Sequence, residues 1–66
     1  MENIEINPNI MHGKPVVRGT RVPVDVVLGA LIGGMSYEEI EKEYGITKKD
    51  ILEVIRYASI TRDLNF

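Results

Sequence analysis

Apolar residues recur with helical spacing through the second half of the chain. Val24, Val27, Leu28, Leu31 and Ile32 fall at i, i+3, i+4, i+7 and i+8, which predicts a first helix beginning near Pro23. Proline suits the first helical position because its missing N–H has no intrahelical partner there, and Asp25 lies near the positive end of the helix dipole. Gly33-Gly34 ends this helix. A second helix over about Tyr37 to Tyr44 offers Ile40 and Tyr44 to a core. A third begins at Lys48 and presents Ile51, Leu52, Ile55 and Ala58, with Val54 and Tyr57 on a flanking face and fraying after Arg62. Ahead of the helices, Glu2 to Ile6 alternates polar and apolar residues, with Ile4 and Ile6 on one side, and predicts a short strand ending at Asn7-Pro8. Val16-Val17 and Thr20 to Val22 flank Gly19 and fit a compact turn or hairpin, with Pro15 and Pro23 restricting sheet pairing to an edge or a strand end.

The starts of the second and third helices carry their own signatures. In Ser36-Tyr37-Glu38-Glu39 the serine side chain accepts from the backbone three residues on while the glutamate reaches back, a capping box. Thr47-Lys48-Lys49-Asp50 repeats the arrangement with a shorter carboxylate, and hydrophobic pairs Met35 with Ile40 and Ile46 with Ile51 staple each start. Gly45 falls where the second helix must stop, so only Gly45, Ile46 and Thr47 join the two helices. Helix, tight glycine turn and second helix form the pattern of a helix-turn-helix. The fold class expected is mostly α: a three-helix unit over 23–62 with a helix-turn-helix, a short β-containing arm over 1–22 and a tail over 63–66, all in one domain.

A chain of 66 residues buries only roughly 60% of the surface its unfolded form exposes, so its stability alone is marginal. It has no cysteine, which removes disulfides and thiolate-ligated metal, and the lone His12 makes no metal site without carboxylates from elsewhere. Oligomerisation is the remaining common route, and apolar Leu64 and Phe66 in the tail point the same way. The longest apolar stretch, Val26 to Met35, is broken by glycines and too short to cross a bilayer, and Met1 to Ile10 carries Glu2 and Glu5 without a basic residue. A soluble, cytoplasmic protein is expected. Net charge is −2, which argues against a general nucleic-acid coat. Its distribution says more: Met11 to Val24 has no carboxylate and holds Lys14, Arg18 and Arg21, while Glu38, Glu39, Glu41 and Glu43 crowd the second helix.

The arm and first helix, Asn7-Pro8-Asn9-Ile10-Met11-His12-Gly13-Lys14-Pro15-Val16-Val17-Arg18-Gly19-Thr20-Arg21-Val22-Pro23-Val24, followed by Gly34-Met35-Ser36-Tyr37-Glu38-Glu39-Ile40, resemble the prokaryotic domain-of-unknown-function family 433 over nearly the whole chain. The run from Gly13 to Val24 is the most specific part. The resemblance implies a helical, homeodomain-like fold and, as for many members, the role of antitoxin in a type II toxin–antitoxin pair whose toxin looks like a PIN-domain ribonuclease.

Two sets of residues are candidates for contact. In a helix-turn-helix the second helix enters the major groove by its N-terminal residues, here Thr47, Lys48 and Lys49, with Glu53 and Arg56 further along. A three-helix bundle needs a short connection in any case, and one departure weakens the DNA reading: many DNA-reading versions have a small residue four positions before the turn glycine, where this chain has Glu41. The second set is Lys14, Arg18 and Arg21, whose cationic forks suit phosphate or carboxylate. They either grip a nucleic-acid backbone, fill the acidic site of a nuclease toxin, or pair with carboxylates of this fold or a sister subunit. Gly13 and Gly19 fit backbone geometry rather than phosphate cradling. His12 has no serine, cysteine or paired carboxylates near it in sequence and reads as a turn residue, so no catalytic residue, cofactor or metal is expected. The expected function is a non-enzymatic antitoxin that binds its operator as a homodimer or higher homo-oligomer; the alternative is a homo-oligomeric adaptor without a nucleic-acid role.

Overall fold

The computed structural model describes residues 3–61, apart from the side chain of Thr61. The expected fraying after Arg62 and the apolar tail residues Leu64 and Phe66 lie outside the described residues. Two short strands, β1 (Ile4–Ile6) and β2 (Pro15–Val17), pair antiparallel with Ile4 opposite Val17 and Ile6 opposite Pro15. Three helices follow: α1 (Val24–Ile32), α2 (Tyr37–Tyr44) and α3 (Lys48–Thr61).

The strand partner of Val16-Val17 is thus β1. The segment after Gly19 still folds back, as its position predicts: the Val17 N–H donates to the Val22 carbonyl at 2.9 Å, and Val16 forms an isolated bridge with Pro23. Thr20 closes that turn, its hydroxyl donating to the Val17 carbonyl at 2.7 Å and accepting from the Val22 N–H at 3.0 Å. β2 is therefore held on both edges, and Val16 and Val17 are both fully buried. Of the two isoleucines expected on one side of the first strand, Ile4 is buried and Ile6 is 61% exposed, because β1 is a hairpin edge whose second isoleucine lies opposite Pro15 beyond the helices' cover.

Between the strands, Met11, His12 and Gly13 take consecutive positive φ angles of 50°, 57° and 82°. For the two residues with side chains this left-handed conformation costs about 1–2 kcal/mol each. The turn is held by Gly13 N–H to the Ile10 carbonyl and Lys14 N–H to the Met11 carbonyl, at 3.0 and 3.1 Å.

Helix ends follow local chemistry. Pro23 sits one residue before α1, its carbonyl accepting from the Val26 and Val27 amides. At the other end Gly34 adopts φ +94°, its N–H donating to the Leu31 carbonyl and the Met35 N–H to the Ala30 carbonyl, a Schellman closure. Both capping boxes form. Ser36 Oγ accepts from the Glu39 N–H at 3.1 Å while Glu39 Oε1 accepts from the Ser36 N–H at 2.8 Å. Thr47 Oγ1 accepts from the Asp50 N–H at 3.1 Å while Asp50 Oδ2 accepts from the Thr47 N–H at 3.0 Å. Gly45, at φ 67°, ends α2 and donates to the Glu41 carbonyl at 2.8 Å.

Ile4, Val17, Val24, Val27, Ile40, Ile46, Ile51 and Val54 make one core, so the β arm contributes to the same interior as the helices. Two expectations for the helix faces are corrected. Ile32, placed on the inner face of α1 by its periodicity, is 87% exposed, since it lies in the last turn and rotated away from Val24 and Val27. In α3 the inward residues are Ile51 and Val54, with Tyr57 and Ala58 half-buried, whereas Leu52 and Ile55 are 47% and 37% exposed. At about 100° per residue, a helix that turns Val54 to the core swings Leu52 nearly to the opposite side.

Candidate interaction surfaces

The first surface is cationic and sits on the β arm. Lys14, Arg18 and Arg21 are all exposed. Arg18 and Arg21 share the turn closed by Val17 and Val22, and the Arg18 N–H donates to the Asn3 carbonyl at 2.8 Å, which fixes the backbone beneath the guanidinium. Lys14 stands at the other end of β2, with its ammonium 3.8 Å from the Asp25 carboxylate of α1. Both groups of that pair are well exposed, so water screens the attraction and leaves Lys14 available to a stronger anion. Two arginines on one rigid turn, and a lysine at the far end of the same strand, make up the basic edge.

The second surface is the α2–α3 corner, which has the expected helix-turn-helix form. Its chemistry differs from that of a phosphate-docking end. Glu41 reaches across the turn and its Oε1 accepts from the Lys48 N–H at 3.1 Å. Asp50 closes the Thr47 N–H and in addition accepts from the Asn3 side-chain amide at 2.8 Å, tying the β arm to the start of α3. The positive end of the α3 dipole is thereby occupied by two carboxylates of the chain itself, the place where a DNA phosphate would dock. Lys48 lies over the Tyr37 ring, 5.8 Å from its centroid, and Arg56 pairs with Glu53 at 3.6 Å. Thr47 is committed to its cap, and Lys49 is exposed. Of the expected DNA contacts, Lys48, Lys49 and Arg56 are exposed on α3, interleaved with Leu52 and Ile55.

The two capping carboxylates are held in their charged forms. The bonds from the Ser36 backbone and hydroxyl lower the Glu39 carboxyl below its usual value. For Asp50, partial burial pushes upward, but the Thr47 and Asn3 hydrogen bonds and the nearby Lys49 charge outweigh it and the net shift is down. His12 is exposed on its left-handed turn. Among the described residues, no three His, Cys, Asp or Glu side chains gather as a metal cluster would require, and no helix is long and apolar enough to cross a membrane. The Glu41 contact was not anticipated from sequence, although the carboxylate itself was marked as out of place in that position.

A two-stranded hairpin packed on three helices, the last two meeting at a glycine corner, defines a small, mostly helical domain. The family model described as "Protein of unknown function (DUF433)" matches residues 4–58, and the chain belongs to that family. It is similar to a crystal structure of a DUF433 member protein from Anabaena variabilis, with a TM-score of 0.85 at 25% identity over 94% of this chain and 62% of that one. It is also 39% identical over 64 residues to "Uncharacterized protein y4eO" of Sinorhizobium fredii. That match takes in 97% of this chain and 28% of the relative, so the chain spans little more than a quarter of that protein's length.

Proposed function

We propose that this chain is a non-enzymatic binding domain that serves as the antitoxin of a toxin–antitoxin pair, with the basic edge of the β arm taking a PIN-like ribonuclease toxin. The observation that carries this reading is the edge itself: Lys14, Arg18 and Arg21, exposed on a hydrogen-bonded hairpin in a stretch from Met11 to Val24 that has no carboxylate. A nuclease that holds metal with carboxylates presents the opposite charge, and guanidinium forks pair bidentately with carboxylates. Occlusion of that acidic site requires no chemistry from the domain.

A second reading, operator binding through α3, is favoured by the form of the α2–α3 corner. It is opposed by the Glu41 and Asp50 carboxylates at the α3 N-terminus.

Binding of the purified domain to the product of the neighbouring gene tests the first reading. Arg18→Ala/Arg21→Ala should weaken that binding by about 30-fold or more, in line with the 2–5 kcal/mol typical of truncating an interfacial charge pair. Lys42→Ala, which removes an exposed cation from α2, should change it less than twofold. Wild-type affinity in the double arginine variant would remove the basic edge from the mechanism. For the second reading, Lys48→Ala/Lys49→Ala should flatten the salt dependence of binding to upstream DNA, each lost phosphate contact changing the slope of log K against log salt by about 0.9.

A further inference from the structure

The turn between β1 and β2 carries side chains where the backbone calls for none. Met11, His12 and Gly13 take φ angles of 50°, 57° and 82° in succession, whereas residues with a Cβ visit the left-handed region as isolated positions. Glycine at 11 and 12 would follow the same path without strain. Neither side chain offsets that strain within the fold. Met11 lies outside the core and outside the half-buried residues packed on it, and is 38% exposed. His12 is exposed and, among the described residues, its imidazole has no hydrogen bond or ion pair.

The strained turn is nevertheless held in place. The Ile10 N–H donates to the Asn7 carbonyl at 2.9 Å, the Asn9 N–H to Asn7 Oδ1 at 2.8 Å, and the Gly13 and Lys14 amides to the Ile10 and Met11 carbonyls. Strain that surrounding bonds maintain, at side chains displayed to solvent, marks a contact site. Holding those side chains in one geometry also lowers the conformational freedom lost when a partner binds. The chemistry of that partner follows from the neighbours. Lys14 comes next in the chain, and Met11 to Val24 has no carboxylate. The three residues of β2, at about 3.3 Å each, set this turn on the order of 10 Å from the one that carries Arg18 and Arg21.

We propose that the Met11–His12–Gly13 turn is a second contact of the toxin-binding surface, with the imidazole donating a hydrogen bond to a carboxylate at the rim of the toxin's acidic site and the thioether packing beside it. This inference rests on the basic edge being the surface that takes the toxin. The toxin is then held at both ends of β2, by the arginine turn at one and by Met11 and His12 at the other.

The test compares variants of the full chain for affinity to the neighbouring gene's product, by calorimetry, and for melting temperature, by circular dichroism. Met11→Ala/His12→Ala removes both side chains beyond Cβ and keeps the strained backbone. It should melt within about 8 °C of wild type, as two surface truncations do, and should bind about fivefold or more weakly. Met11→Gly/His12→Gly should melt above the alanine variant, because glycine relieves the left-handed strain, and should bind no better than it. Wild-type affinity in the alanine variant overturns the inference. A larger fall in its melting temperature does so too, since the side chains would then serve the fold, as does a glycine variant that melts no higher than the alanine one. Failure of the basic edge itself gives a different pattern: Arg18→Ala/Arg21→Ala then binds as wild type does, whereas failure of this inference alone leaves the arginine variant weak and the alanine variant of the turn unimpaired. A wild-type chain that does not bind overturns both readings.

Discussion

Ile40→Ala should remove a large share of this protein's stability. Ile40 is the apolar residue that α2 turns fully into the core, with no side-chain surface left to water. Truncating a buried isoleucine to alanine removes its transfer free energy and leaves a cavity, together about 2–5 kcal/mol. A domain of this length has only about 3–10 kcal/mol of stability, so the loss is a large share of the whole. For a domain this small, each 1 kcal/mol moves the melting temperature by about 4–8 °C, and a fall of about 8 °C or more is expected by circular dichroism. Ile32→Ala is the matched control: the same atoms are removed from a residue that is 87% exposed, and the change should stay within about 0.5 kcal/mol. Equal effects at the two positions would mean that α1 and α2 are oriented differently from the structure described.

Asp50→Ala should have the next largest effect, because that carboxylate does two things at once. It completes the capping box of α3 through the Thr47 N–H and it accepts from the Asn3 amide, which joins the first strand to the third helix. A lost cap costs about 1 kcal/mol and a lost tertiary hydrogen bond about another, so about 2 kcal/mol is expected. The same bonds set the pH dependence. Burial works against the charged form of Asp50, but its hydrogen bonds prevail, and Glu39 is lowered by its bonds to Ser36. Groups whose folded values lie below their unfolded ones contribute stability that is complete above the unfolded value, near 4, and disappears as pH falls through the folded one. The melting temperature should therefore be level from pH 7 to about 5 and drop below about 4. A Glu39→Gln/Asp50→Asn variant should start lower and lose less on acidification. A variant with the same acid slope as wild type would show that other carboxylates govern the transition.

These two cases mark what could be read from the sequence and what could not. Cap residues act over three positions, so Ser36 with Glu39 and Thr47 with Asp50 placed the helix starts of α2 and α3 correctly, and Gly45 placed the turn between them. The inward face of α3 was not legible. Ile51, Leu52, Val54, Ile55, Tyr57 and Ala58 cover so much of the helix circumference that periodicity alone gives no single inner side, and packing against β1, α1 and α2 decides. The Asn3–Asp50 bond spans 47 residues and the Glu41 contact crosses a turn, so neither leaves a local signal. Likewise Gly13 pointed only to a backbone requirement, and nothing in Met11 or His12 announces that they share its left-handed conformation. The basic edge was legible as charge, from the run free of carboxylates, while the Lys14 pairing with Asp25 appears only once α1 packs beside β2. The carboxylates at the corner of α2 and α3 favour the arm over α3 as the anion-binding surface.

The most direct test of that account is an inhibition assay. The ribonuclease activity of the neighbouring gene's product is measured against increasing amounts of this chain, in wild-type form and as Arg18→Ala/Arg21→Ala. Activity should fall to background near a one-to-one ratio with wild type and persist with the arginine variant at the same ratio, the variant having an unchanged melting temperature. Undiminished activity with excess wild-type chain, or equal inhibition by both forms, would contradict the assignment of the basic edge as the toxin-binding surface.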